Sequence, residues 1–233
     1  MAAKAKLVLV PGLLCTKALW APQIAALGDV VDITVANHRR HRTMRGIARS
    51  VLATAPRRFA LAGLSMGGYI AYEIVRQAPE RVTRLALLDT GSRADAPERK
   101  ARRLELIALA EREGVEAAQD ALMSVLIHKS RLTEKPLVDA IRQMAVDTGV
   151  AAFKRQQAAI MGRPDNRPLL ASIRCPTLVL VGREDALTPV DLAREIAAGI
   201  PGARLKIVPD CGHLSTMERP DAVNHALRAW LAQ

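Results

Sequence analysis

The stretch "LAGLSMGGYI", residues 61–70, joins an apolar run, "RRFALAG" (57–63), to a helix-like segment, "YIAYEIVRQ" (69–77). At its centre Ser65 has Gly63 two residues before it and Gly67 two residues after it. A turn tight enough to lift a side chain clear of a strand end crowds those two flanking positions, and glycine has no Cβ to collide. The spacing therefore predicts Ser65 standing exposed at a strand-to-helix turn. A helix beginning near Met66 would turn its unpaired N–H groups toward any negative charge developing beside that serine.

A serine hydroxyl is a weak nucleophile. It needs a neighbouring base, and the base needs a carboxylate to orient it. The chain has five histidines. His38 and His41 sit in a basic loop, His128 in a helical stretch and His225 inside the last helix pattern. His213 instead occupies a turn-rich segment, "IVPDCGHLSTMERP" (207–220), directly after the last strand pattern. Two aspartates compete for the orienting role, Asp185 in "TLVLVGREDALTP" (177–189) and Asp89 in "LALLDTG" (85–91). Both follow apolar runs, at the strand ends where open parallel sheets build their sites. Asp185 is favoured because the order Ser, Asp, His then spreads over three successive strand ends. Asp89 equally suits the capping of its own turn, and Glu184 reads as a loop charge.

Working outward, six short runs of nearly continuous apolar character read as buried parallel strands: 6–10, 30–35, 58–62, 84–88, 177–181 and 204–208. Helical patterns alternate with them at 19–27, 47–53 and 69–77. Thr188-Pro189 reads as an N-cap and first-turn proline for a helix through 196. The last helix places Ala222, Val223, Ala226, Leu227, Trp230 and Leu231 on one face. Strand and helix in alternation imply an α/β fold, an open and mostly parallel sheet covered by helices. Residues 93–168 break the rhythm with amphipathic helical patterns alone, too long for an ordinary connection. They are expected to form a helical cap inserted into a core made of residues 1–92 and 169–233.

A chain of 233 residues matches one domain with an insertion. Aromatic residues make up only 3%, which argues against a stacking surface for single-stranded nucleic acid. The net charge of +11 reads as a solvated basic surface, so no nucleic-acid partner is expected. No run approaches the ~18 apolar residues of a membrane span. The opening "MAAKAKLVLVPGLLC" is broken by Pro11-Gly12 and has no small-residue cleavage site, so it reads as the first strand and its turn rather than a leader. Three cysteines without CxxC spacing suggest a reduced, cytoplasmic protein. No His/Asp/Glu/Cys set has metal-ligand spacing, so neither a metal nor an organic cofactor is expected. The loop "NHRRHR" (37–42) leaves the second strand on the same edge as Ser65, where Arg39, Arg40 and Arg42 would either draw anionic esters or remain surface charges.

Taken together, "GLSMGG", "VGREDALTP" and "DCGHLSTMERP", in this order and spacing, resemble the α/β-hydrolase superfamily over essentially the whole chain. Within it the sequence is similar to the compact lidded branch of esterases, enol-lactonases and cofactor-free haloperoxidases. The resemblance implies Ser65 as nucleophile, His213 as base, Asp185 as acid, and an oxyanion hole made by the backbone N–H groups of Leu13 and Met66. It also implies a serine hydrolase acting on a small ester or lactone. The rival uses of the same residues are perhydrolysis or haloperoxidation, C–C hydrolysis, and a non-catalytic ligand receptor.

The sequence departs from the family pattern twice. Pro11-Gly12-Leu13 stands where such hydrolases usually carry His-Gly, a histidine that commonly braces the loop. In addition, no hairpin precedes residue 6, so the first two strands of the usual eight are expected to be absent, leaving about six. Leu14, Leu122, Met123, Met144, Phe153 and Leu214 are the candidate substrate contacts, although helical apolar spacing does not separate a pocket wall from a packed face. Cys15 and Cys211, close to the site in sequence, read as packing residues.

Overall fold

The computed structural model describes residues 4–233. Six strands form one sheet, β1 (Ala5–Val10), β2 (Val31–Val35), β3 (Phe59–Leu64), β4 (Val82–Leu88), β5 (Thr177–Gly182) and β6 (Arg204–Val208), in the order β2-β1-β3-β4-β5-β6. Every pairing is parallel, so all the strands leave at the same edge. β3 and β5 are buried along their whole length, which is why they read as unbroken apolar runs. The chain moves from β1 out to β2 and then back across to β3. The switch point of the topology thus lies between β1 and β3, whose C-terminal ends carry Leu13 and Ser65.

Helices α1 (Ala21–Leu27), α2 (Met44–Thr54) and α3 (Met66–Gln77) follow β1, β2 and β3. Between β4 and β5 come only helices: α4 (Pro97–Glu113), α5 (Val115–Leu126), α6 (Lys135–Met161) and the short α7 (Arg167–Leu170). Gly149, at φ 74°, interrupts α6 at a conformation that favours glycine. The remaining helices are α8 (Val190–Gly199), α9 (Ser215–Glu218) and α10 (Pro220–Leu231). In α10 it is Val223, Leu227 and Trp230 that are buried. Two apolar cores flank the sheet. One runs continuously from the sheet into α4, α5 and α6, so these helices pack on the sheet's own core through residues such as Leu122, Met144 and Phe153. Among the described residues no helix is long and apolar enough to cross a membrane.

One local expectation needs correction. Thr188 does not cap α8, because Pro189 occupies that position, and the Thr188 hydroxyl donates instead to Asp185 Oδ2 at 2.6 Å. A buried carboxylate is a stronger acceptor than the surroundings of a helix end, so the threonine serves the aspartate.

Candidate active site

Ser65 lies between β3 and α3 with φ 55° and ψ −114°, a left-handed conformation that a non-glycine residue adopts only under constraint. The sterics of the turn are severe. A Cβ on Gly63 would lie 2.3 Å from the Gly67 carbonyl oxygen, and one on Gly67 would lie 2.1 Å from the Val10 carbonyl oxygen. Those two glycines let the turn close against β1. The backbone is further pinned by Ser65 N–H donating to Leu88 O at 2.9 Å and by the Thr90 hydroxyl donating to Ser65 O at 2.8 Å.

The serine, His213 and Asp185 meet at the C-terminal edge of the sheet. Ser65 Oγ is 2.8 Å from His213 Nε2, and His213 Nδ1 is 2.8 Å from Asp185 Oδ2. An ionised Asp185 accepts from Nδ1–H, which leaves Nε2 free to accept the serine proton. The carboxylate is itself held: Oδ1 accepts the N–H groups of Leu187 and Thr188, each at 2.9 Å. Burial alone would lower the His213 pKa, but the charge and hydrogen bond of Asp185, with Asp89 and Glu218 behind it, outweigh burial and raise it above 6.5.

Asp89 lies at the end of β4, fully buried, and takes no hydrogen bond from His213. It accepts from Gly182 N–H at 2.9 Å and from the Ser215 hydroxyl at 2.5 Å, tying the loops after β5 and β6 together. Burial and the nearby Asp185 charge push its pKa up. Glu218 also has a structural place that sequence reading missed. Buried at the end of α9, it accepts the backbone N–H groups of His128, Gly212 and Leu214 and so clamps the His213 loop to the end of α5. The only local signal for it was an acidic residue a few positions beyond the histidine. Glu184 does more than carry a loop charge, accepting the Cys211 N–H at 2.9 Å.

Beside the serine, the N–H groups of Leu13 and Met66 have no hydrogen-bond acceptor among the described residues. The Leu13 loop lacks the family's usual histidine, but a histidine from elsewhere reaches it. Buried His38, after β2, places Nε2 2.8 Å from Gly12 O, and Gln156 of α6 lies 2.9 Å from the same nitrogen while its Oε1 accepts the Leu14 N–H at 3.2 Å. Burial drives the His38 pKa down to about 4, so the ring stays neutral in its brace. Arg39 of the same loop is tied to α6: its guanidinium donates to Asp147 O, and Arg155 donates to Arg39 O.

A cavity with about 680 Å³ of empty space, part of it open to solvent, opens over Ser65 and His213. Leu13, Leu122 and Leu214 line it, whereas Leu14, Met123, Met144 and Phe153 do not; all four are buried among the apolar residues of the core. Their helical or loop neighbourhood was right, but which side of the packed layer each faces depends on the helices around it. Tyr69, Arg99, Arg103, Leu106, Gln119 and Ile160 line the cavity as well and were not anticipated. None of Arg39, Arg40 and Arg42 lines it. Among the described residues no group of three or more His, Cys, Asp or Glu side chains is placed to hold a metal ion. Cys15 borders the cavity, and burial pushes its thiol up to about 12; Cys211 is raised as well, burial again being the largest cause.

The profile of the alpha/beta hydrolase family matches residues 7–226. The chain belongs to the alpha/beta hydrolase family. Among solved structures, this hydrolase is similar to a thermophilic esterase from Thermogutta terrifontis solved with malate bound, at 30% identity and a TM-score of 0.90, covering 100% of this chain and 91% of that one. It is also similar to the enol-lactonase from Burkholderia xenovorans, at 27% identity and a TM-score of 0.89, covering 100% and 93%. Among curated proteins it is 32% identical over 191 residues to BpoC of Mycobacterium tuberculosis, provisionally named a non-heme bromoperoxidase, covering 78% of this hydrolase and 70% of BpoC.

The brace on the Leu13 loop carries a prediction. His38→Phe removes the contact with Gly12 O while keeping an aromatic ring in the buried site. Losing an oxyanion donor outright costs ~2.7–4 kcal/mol of barrier, so a donor merely left loose is expected to lower kcat by roughly tenfold with KM little changed. Kinetics alongside a melting curve check this. A variant with lowered Tm but wild-type kcat would reduce His38 to a packing residue.

Proposed function

We propose that the protein is a serine hydrolase that cleaves a small carboxylic ester or lactone through an acyl-enzyme on Ser65. The observation that carries this reading is the unbroken chain of contacts from Ser65 Oγ through His213 to Asp185, 2.8 Å at each step, at the floor of a cavity. Ser65 Oγ attacks the ester carbonyl carbon as His213 Nε2 takes its proton. The tetrahedral oxyanion is met by the N–H groups of Leu13 and Met66. Collapse breaks the carbonyl–alkoxy bond, and the same imidazole returns the proton to the departing alcohol. Water then adds to the acyl carbon with His213 again as base, releasing the acid and restoring the serine. Asp185 holds the Nδ1–H tautomer and stabilises the imidazolium formed in each half-reaction.

In this proposal the helices of residues 93–168 act as a cap that shapes the substrate space, since Leu106, Gln119, Leu122, Leu126 and Ile160 all face the cavity from them. Three free cysteines favour a reduced compartment such as the cytoplasm. The deciding experiment is steady-state turnover of a panel of short-chain esters and lactones, together with labelling by a fluorophosphonate. Labelling at Ser65 with turnover supports the enzyme. Labelling without turnover of any ester or lactone would leave a receptor that has kept its pocket.

The raised His213 pKa gives the pH dependence. The imidazole works as a base only when neutral, so kcat/KM should rise with pH and reach half its plateau above 6.5, not at or below it. The stability sign is opposite. A histidine whose folded pKa exceeds its unfolded value contributes stability that is full below about 6.5 and is lost as pH rises through the folded pKa. The protein therefore gains activity across the window where it gives up that increment. A kcat/KM profile that is already flat from pH 6 upward would contradict the assignment.

A further inference from the structure

The cavity over Ser65 is apolar on most of its surface, with Leu13, Leu64, Leu106, Leu122, Leu126 and Ile160 among its walls. Two arginines from α4, Arg99 and Arg103, nonetheless face it. Arg103 is largely buried, so its charge is strongly felt with little water between it and whatever occupies the space, whereas Arg99 stands solvent-exposed at the rim of the same cavity. We propose that this subsite binds a free carboxylate, so that the substrate is an ester or lactone carrying a second, ionised acid group. The inference rests on the hydrolase reading above and names the substrate class of that same site.

The charges around these arginines are not balanced by the fold. Asp95 is the buried acid beside them, and it is already shared: Arg103 Nε donates to one oxygen at 2.5 Å, and Arg163 Nη2 lies 2.8 Å from the other. One carboxylate thus faces two guanidiniums, and Arg99 adds a third positive charge that pairs with no carboxylate among the described residues, donating only to the Leu187 carbonyl at 2.9 Å. Arg103 is also fixed in place, since its Nη1 donates to Gln157 Oε1 at 2.9 Å while Nη2 has no partner among the described residues. An arginine held by one edge and open on another presents a pre-organised donor to a planar carboxylate.

Gln119 of α5 is a second and independent sign of a polar ligand. Its side chain lines the same cavity, the residue is only 3% exposed, and it makes no side-chain hydrogen bond among the described residues. Its amide is open to the cavity rather than sealed in the core, so it presents an unclaimed donor and acceptor to a polar occupant. A neighbouring cleft shares Tyr69, Arg99 and Thr188 with this cavity, placing Arg99 at the junction of the two. The positive charge available to an anionic substrate therefore comes from α4 rather than from the loop after β2.

The test uses two matched ester pairs on the intact protein. One carries the charge on the acyl side, 4-nitrophenyl hydrogen succinate against its neutral near-isostere 4-nitrophenyl levulinate. The other carries it on the leaving group, 4-carboxyphenyl acetate against 4-carbamoylphenyl acetate. In at least one pair the wild type should prefer the anion, mainly through KM. Arg99→Gln should cut that anion-to-neutral ratio of kcat/KM by ~10–100-fold, the range set by one hydrogen bond to a charged group. Arg103→Lys, which keeps the charge but not the fork, should cut it less. Arg42→Gln, on the exposed loop, should leave the ratio unchanged. No preference in either pair, or a ratio unmoved by Arg99→Gln, overturns the proposal.

A calorimetric titration with succinate separates this failure from that of the hydrolase reading. Binding that disappears in Arg99→Gln while no ester is turned over supports the carboxylate subsite and refutes ester hydrolysis. Turnover of neutral esters without succinate binding or anion preference does the reverse.

Discussion

Ser65→Ala is expected to lower kcat for a small ester by roughly 10⁶-fold, the scale seen when a serine hydrolase loses its nucleophile, while the purified protein stays folded. The size of the effect follows from chemistry that no neighbour can replace, because the acyl group has nowhere else to attach. The small cost to the fold follows from the contacts: the side chain's hydrogen bond is the one to His213 Nε2, so stability should fall by at most ~1 kcal/mol. The left-handed backbone adds a second readout. Glycine adopts φ near 55° without the Cβ penalty, so Ser65→Gly should be equally inactive yet melt higher than Ser65→Ala, by an increment worth ~1 kcal/mol. A folded Ser65→Ala protein with wild-type turnover would remove the serine from the mechanism.

Asp185→Asn comes next, with an expected loss of ~10⁴ in kcat, as in the serine-protease template. The amide cannot accept the Nδ1–H and also stabilise a cationic ring, so His213 is driven toward the wrong tautomer. Fluorophosphonate labelling should slow along with turnover, because the serine loses its base. Asp89→Asn is the control. Asp89 bonds Gly182 and Ser215 rather than the imidazole, so the change is expected to cost ~1–3 kcal/mol of stability and less than about tenfold in kcat. Measuring kcat for both variants at a pH above the His213 transition decides the matter. A larger loss at Asp89 than at Asp185 would move the orienting acid to the end of β4.

The architecture was largely legible in the chain itself. The six apolar runs became the six strands of one parallel sheet, with ends displaced by a few residues at most. β3 and β5 are continuously apolar because both their faces are buried, a local property, whereas the edge strands β2 and β6 are partly exposed and carry polar residues among their apolar ones. The turn around Ser65 was legible for a similar reason: a backbone that passes 2.1 Å from where a Cβ would sit admits only glycine, and the G-x-S-x-G spacing records that clash directly. Ser65, Asp185 and His213 could be singled out from their positions after strands, since a parallel sheet delivers every strand end to one edge.

What could not be read was which polar partners meet across that edge. His38 looked like one more member of a basic loop, yet it is buried against Gly12, 26 residues away, and meets Gln156, 118 residues away. Glu218 was not singled out in the sequence, yet it holds three backbone N–H groups of two other segments. Met144 and Phe153 read as substrate contacts, but the packing of α4 to α6 buries them in the core and turns Arg99 and Arg103, not singled out as site residues in the sequence, toward the cavity. Apolar periodicity and backbone sterics are properties of neighbouring residues, so the sequence alone settles them. The satisfaction of a buried polar group depends on distant segments brought together by the sheet order and helix packing, and only the tertiary structure decides it.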